Sequence, residues 1–191
     1  MSNTDNIIVI TGPAHAGKTT VINELRKRGH LILPESAIQL IDLGLSLSKD
    51  VRSWQDWRNI PENESQLQKS IYLSQIAKEQ LARHRDEHVF SDRGTLDGIA
   101  YCRLRGVQYS TWFKNIPRYK LAFLLAPLKF NARSGSGRID TEDDNRLIHQ
   151  LIKEVYLEYK IRVIDVPLMN HEHNISVKLR ADFIEQNTQA I

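Results

Sequence analysis

Gly12, Pro13, Ala14, His15, Ala16, Gly17, Lys18 and Thr19, followed by Thr20, place two glycines, a lysine and a hydroxyl at the spacing G-x-x-x-x-G-K-[ST]. Those residue types at that spacing suit one task. A loop that wraps a phosphate must turn successive backbone N–H groups inward, and glycine allows both the conformations and the close approach. Lys18 would then reach the outer phosphates of a nucleotide and Thr19 would ligate Mg²⁺, while the N-terminus of the next helix adds partial positive charge. Residues 12–20 are therefore expected to cradle a triphosphate, with His15 a bystander at a variable loop position.

Passing a phosphoryl group onward takes more: an acid that organises the metal, a group at the acceptor hydroxyl, and cations near the moving phosphate. In "LPES", Glu35 is the candidate base or anchor for the acceptor hydroxyl. Its bland alternative is an acid that favours a helix N-terminus. In "FSDRG", Asp92 is the candidate to hold Mg²⁺ through water behind Thr19. Arg93 beside it either contacts substrate or phosphate, or forms an ion pair with Asp97. Arg133 and Arg138 flank "SGSG", where guanidinium groups on a loop can close over the outer phosphate and exclude water. Trp54 and Trp57 in "WQDW" can stack on a ring, although two aromatics three apart on a helix more often pack. Tyr101 reads as core. "HEH" at 171–173 lacks a third ligand and reads as a polar helix start.

These residues need a frame that brings them together, and the chain alternates strand and helix patterns. Short apolar, β-branched runs at 6–11, 30–34, 88–91, 119–126 and 161–167 predict five strands. Helices are expected from Lys18, through Leu47, over 64–85, over 95–106, over 142–159 and from about Asn174. In the long helix Leu67, Ile71, Ile76 and Leu81 fall near one face, and Asn63 with Gln66 could form a capping box. Near-continuous apolar strands separated by helices predict an α/β fold, a parallel sheet covered on both faces. Ligands of such sheets sit beyond the carboxyl ends of the strands, where the loop, Glu35 and Asp92 all fall. The 191 residues favour one domain over 1–191, with a Gly-, Ser- and Arg-rich lid at about 127–141.

Composition narrows the class. Cys102 is the only cysteine, which excludes an internal disulfide and suits a reducing, cytoplasmic setting. The longest apolar runs are strand-length, so no membrane span is expected. A net charge of +3 suits an anionic ligand, but Lys and Arg are scattered among 23 acidic residues with no basic run, which argues against nucleic acid.

The order GPAHAGKTT, PES, DRGTLDGIAY, FLLAPLKF, TEDD and DVP resembles a family of AAA-labelled P-loop proteins. These are related to the ribosylnicotinamide kinase part of the bifunctional NAD-biosynthesis regulator and, more distantly, to deoxynucleoside and thymidylate kinases. The resemblance runs from about Ile7 to Ile184. It implies a P-loop fold with sheet order 2-3-1-4-5 and an arginine-bearing lid before the TED helix. It matches Glu35 to the acid after strand two that holds or activates the acceptor hydroxyl, and Asp92 and Arg93 to the DR pair after strand three. One departure is that Asp140 stands where the family often has arginine, the nearest being Arg138. The expected function is ATP- and Mg²⁺-dependent phosphoryl transfer to a small, nucleoside-like acceptor. The rival is a nucleotide-gated switch with no acceptor. ATP against GTP, and monomer against homodimer, stay open at this stage.

Overall fold

Residues 6–113, 116, 118–128, 141–170 and 172–189 are described by a computed structural model. The five expected strands all form: β1 (Ile7–Thr11), β2 (Leu31–Leu33), β3 (Val89–Asp92), β4 (Leu121–Leu125) and β5 (Val163–Val166). They pair in parallel in the order β2-β3-β1-β4-β5. Strands β1 and β4 are buried along their whole length, which is why their sequences are apolar without alternation.

Alternate residues of β1 serve two cores. Ile7 and Val9 face a layer built by α5 (Thr95–Arg105) and α6 (Glu142–Glu158), including Leu96, Ile99, Ile152 and Val155. Ile8 and Ile10 face α1 (Lys18–Lys27) and α7 (His173–Gln189), through Val21, Ile22, Leu25, Ala181 and Ile184. The sheet is thus covered on both sides, and the loops at its carboxyl edge are left to form a site.

A third, smaller cluster joins α2 (Ala37–Ser46), α3 (Trp54–Arg58) and α4 (Pro61–Ala82) around Ile41, Trp57 and Leu67. The five-residue α3 falls in a segment whose polar sequence shows no helical period; Ser53 caps it by accepting the Asp56 N–H at 3.0 Å. Helix α4 starts earlier than its apolar pattern suggests, with Pro61 in its first turn and Ile60 as N-cap. The expected capping box does not form: Asn63 Nδ2 donates instead to the Trp57 carbonyl at 3.1 Å. The apolar face is also displaced. Leu67 is buried but Leu81 is 77% exposed, whereas Glu64, Gln68, Gln75 and Glu79 are buried. Helix α4 turns polar residues inward because each finds a buried partner: Glu64 takes Arg58 and Gln68, and Glu79 takes Gln75, Thr95 and Tyr119.

The "TED" block has a local physical role. Thr141 accepts the Asp144 N–H at 3.0 Å while Asp144 accepts the Thr141 N–H at 2.9 Å, closing a reciprocal cap on α6. The lid expected at about 127–141, with Arg133 and Arg138, falls largely on residues 129–140, which lie outside the described residues, as do His171 and the side chain of His173. Among the described residues, no helix is long and apolar enough to cross a membrane.

Candidate active site

The residues 12–20 link β1 to α1 and take the backbone shape that their glycines allow. Gly12 sits at φ 144° and Gly17 at φ 79°, and His15 between them is also left-handed at φ 59°. His15 therefore contributes its backbone to the turn even though its side chain carries no motif role. A Cβ on Gly12 would lie 2.7 Å from the Leu125 carbonyl, so the loop can pack against the end of β4 only with glycine there. Pro13, Ala14 and Ala16 are buried in the loop's own wall. Lys18 is buried, and its Nζ donates to the Pro13 carbonyl at 2.6 Å, arching over the loop. Thr19 and Thr20 are exposed on the first turn of α1.

The parallel register sets Ile10 of β1 beside Asp92 of β3, so the end of β3 is level with the start of the loop. Asp92 is 3% exposed, and its Oδ1 has no hydrogen-bond partner among the described residues. Burial, with repulsion from Glu35, pushes its carboxyl up from 3.8 to about 6, while Lys18 and Arg93 pull it down.

Arg93 knots the site together. Its backbone is left-handed at φ 71°, and its N–H donates to the Ile10 carbonyl at 3.0 Å. The guanidinium donates to Glu35 at 2.7 Å, to Asp97 and the Gly12 carbonyl at 3.2 Å each, and to the Tyr101 hydroxyl at 3.2 Å. Burial opposes its charge, but Tyr101, Glu35 and Asp97 hold it protonated far above any working pH. The ion pair with Asp97 does form, and a second one to Glu35 accompanies it. Asp97 is anchored in turn by the Thr11 hydroxyl, the Gly94 N–H at 3.0 Å and the Tyr156 hydroxyl at 2.6 Å. Tyr101, read as core from sequence, is half-buried and borders the cavity beside Arg93.

That cavity, about 70 Å³, lies between α2, α4 and α5. Glu35, Asp92, Arg93 and Ala14 of the loop border one end, and Ile38, Ile41, Leu67 and Ile71 give it an apolar wall. Arg58 and Gln68 border it too, and sequence reasoning did not find them. Arg58 is buried and forked onto Glu64 at 2.8 and 2.9 Å, while Gln68 donates to Glu64 at 2.8 Å. The only available signal was a Glu–Gln pair four apart on a helix, which by default reads as a solvated face. Trp57 does not border the cavity. It packs under α2, where a Cβ on Gly44 would come within 2.3 Å of its ring; Trp54 lies beside it in the same cluster. The stacking role is thereby replaced by packing.

Among the described residues, no group of three or more His, Cys, Asp or Glu could hold a metal alone. The donors present fit Mg²⁺ held jointly with phosphate oxygens and water: a buried carboxylate with a partnerless oxygen, Asp92, and an exposed hydroxyl, Thr19.

The family described as AAA domain matches residues 7–173, and the chain belongs to it. No curated protein sequence matches the chain. Its structure is similar to deoxyadenosine kinase from M. mycoides with dCMP and dCDP bound, at TM-score 0.69 and 15% identity, over 97% of this chain and 100% of that one. It is also similar to NadR protein in complex with NR, at TM-score 0.66 and 16% identity, over 94% of this chain and 50% of that one. Thymidylate kinase from Ehrlichia chaffeensis follows at TM-score 0.52 and 12% identity, over 95% and 97%. At such identities the likeness is one of fold, the P-loop kinase fold that the sequence resemblance implies.

Proposed function

We propose that this protein is a Mg²⁺-dependent kinase, transferring the terminal phosphoryl group of ATP to a hydroxyl of a small nucleoside-like acceptor. One observation carries the reading. Glu35, Asp92 and the phosphate loop border the same cavity, whose other wall is apolar and suited to a ring. A nucleotide switch needs no such second chamber.

In this reading Gly12 to Thr20 hold the phosphates through backbone N–H groups. Lys18 exchanges its bond to the Pro13 carbonyl for the outer phosphates. Thr19 and Asp92 would hold Mg²⁺, which when bound neutralises charge between the phosphates. Glu35, oriented by Arg93, accepts the proton of the acceptor hydroxyl as its oxygen forms the new bond to phosphorus. The bond to the bridging oxygen breaks, and ADP departs with that electron pair. The lid role that the sequence suggests for residues 127–141, with Arg133 and Arg138, falls largely outside the described residues.

Labelled ATP incubated with pooled nucleosides tests this: label on an acceptor supports a kinase, and release solely as inorganic phosphate leaves a switch. Glu35→Gln should keep ATP affinity and slow transfer by about 10²- to 10⁴-fold, the usual range for a lost general base. Full turnover by that variant would remove the role given to Glu35.

A further inference from the structure

Arg180, in the middle of α7, is 2% exposed. Its guanidinium makes three hydrogen bonds, all to backbone carbonyls: Nη1 to Ala16 at 2.9 Å, Nε to Pro167 at 3.0 Å and Nη2 to Ala126 at 3.2 Å. The other buried arginines differ. Arg58 and Arg93 each sit against carboxylates, whereas among the described residues none pairs with Arg180. Guanidinium does not give up its proton in a protein, so a full positive charge stays inside, and among the described residues its hydrogen-bond partners are all carbonyl dipoles. Burial accordingly works against its charged form.

The place where an anion could complete this arrangement is the phosphate loop itself. Ala16, whose carbonyl takes the Nη1 hydrogen bond, is a loop residue, and a Cβ built on Gly17 would lie 3.7 Å from Nη1. Arg180 thus stands directly against the loop at Ala16 and Gly17. We propose that Arg180 is a positioning residue for the bound nucleotide: a phosphate in the loop supplies the negative partner that none of the described residues gives this buried cation, and α7 docks more firmly when the loop is filled. The inference rests on the phosphate-loop reading above.

The coupling has a structural path. Helix α7 is also tied to the far end of α1, where Arg28 donates to Asp182 at 2.6 Å and to Glu185 at 2.5 Å. The helix that starts at Lys18 is therefore held by α7 at both ends. Whatever tightens the Arg180 end must, by linkage, be tightened by it in return.

The test compares wild type, Arg180→Met and Arg180→Lys by calorimetric titration with ATP–Mg²⁺ and with tripolyphosphate, and by hydrogen exchange over residues 174–189. Arg180→Met should weaken both ligands by the same factor, about tenfold, within the usual range of coupling between sites. Arg180→Lys, which keeps the charge, should recover most of that loss. Saturating tripolyphosphate should slow exchange across α7 in wild type. A purely structural arginine would lower the unfolding temperature of Arg180→Met and leave both affinities at wild-type values; that result overturns the proposal. Exchange in wild-type α7 that ignores tripolyphosphate overturns it too, and is readable even if Arg180→Met does not fold. Should wild type bind neither ligand, the phosphate-loop reading fails and the inference falls with it. Wild-type binding without loss in Arg180→Met removes the inference alone.

Discussion

Asp92 carries a carboxyl that its buried place moves toward neutral pH. Its carboxyl titrates at about 6 in the folded protein, against 3.8 ordinarily. A carboxyl raised by folding stabilises the native state while protonated. Its contribution is present below about pH 4 and is lost as the pH rises to about 6. Over that window the wild type should lose on the order of 3 kcal/mol relative to Asp92→Asn, following the 1.36 kcal/mol carried by each pKa unit. Urea unfolding of both proteins at pH 4, 5, 6 and 7, without nucleotide or metal, checks this; parallel curves would contradict it. The same side chain shows what sequence conveys at this scale. Its place at the end of an apolar strand put it at the rim of the sheet, but its partnerless oxygen depends on neighbours from other segments. Arg93 shows the limit more plainly. Sequence offered an ion pair or a ligand contact, whereas folding brings Glu35, Gly12, Asp97 and Tyr101 onto one guanidinium.

Among the elements, α4 is where periodicity misleads. The apolar residues Leu73 and Leu81 lie on its exposed side, and Glu64, Gln68, Gln75 and Glu79 on its buried side. Glu79 alone accepts from Gln75, Thr95 and Tyr119 at 2.8 to 3.1 Å. Burial still pushes its carboxyl up. A pattern rule assumes that inward means apolar, and a helix whose inward side chains pair with other buried polar groups breaks that assumption. Two substitutions separate the readings. Leu81→Glu should change stability by less than about 0.5 kcal/mol, as surface changes do. Glu64→Ala should cost about 3–5 kcal/mol, because it leaves Arg58 buried without its carboxylate. Chemical denaturation measures both, and a reversed order would mean that the face is misassigned. Helix α6 is the opposite case: Thr141 and Asp144 announce its start in sequence because a capping box uses only local contacts.

For the whole molecule, the sheet was legible because β1 and β4 are buried on both faces and so write themselves as unbroken apolar runs. The pairing order came from family resemblance, since no run of residues states which strand lies beside which. The α2–α4 cluster was not legible, because Trp57 packs against Gly44 across a segment without periodic pattern. We propose that all of this is one domain, as β1 feeds both main cores. Heating should then give a single cooperative transition, with calorimetric and van't Hoff enthalpies equal; two separable steps would point to an independent α2–α4 unit.

The division of labour between segments has a consequence for descent. The loop at residues 12–20, Glu35 and Asp92 follow or end strands of the sheet, whereas Gln68, Leu67 and Ile71, which border the same cavity, sit on α4. Under the proposed kinase reading, a lineage could change which compound enters by rewriting that one helical stripe while keeping the residues assigned to transfer.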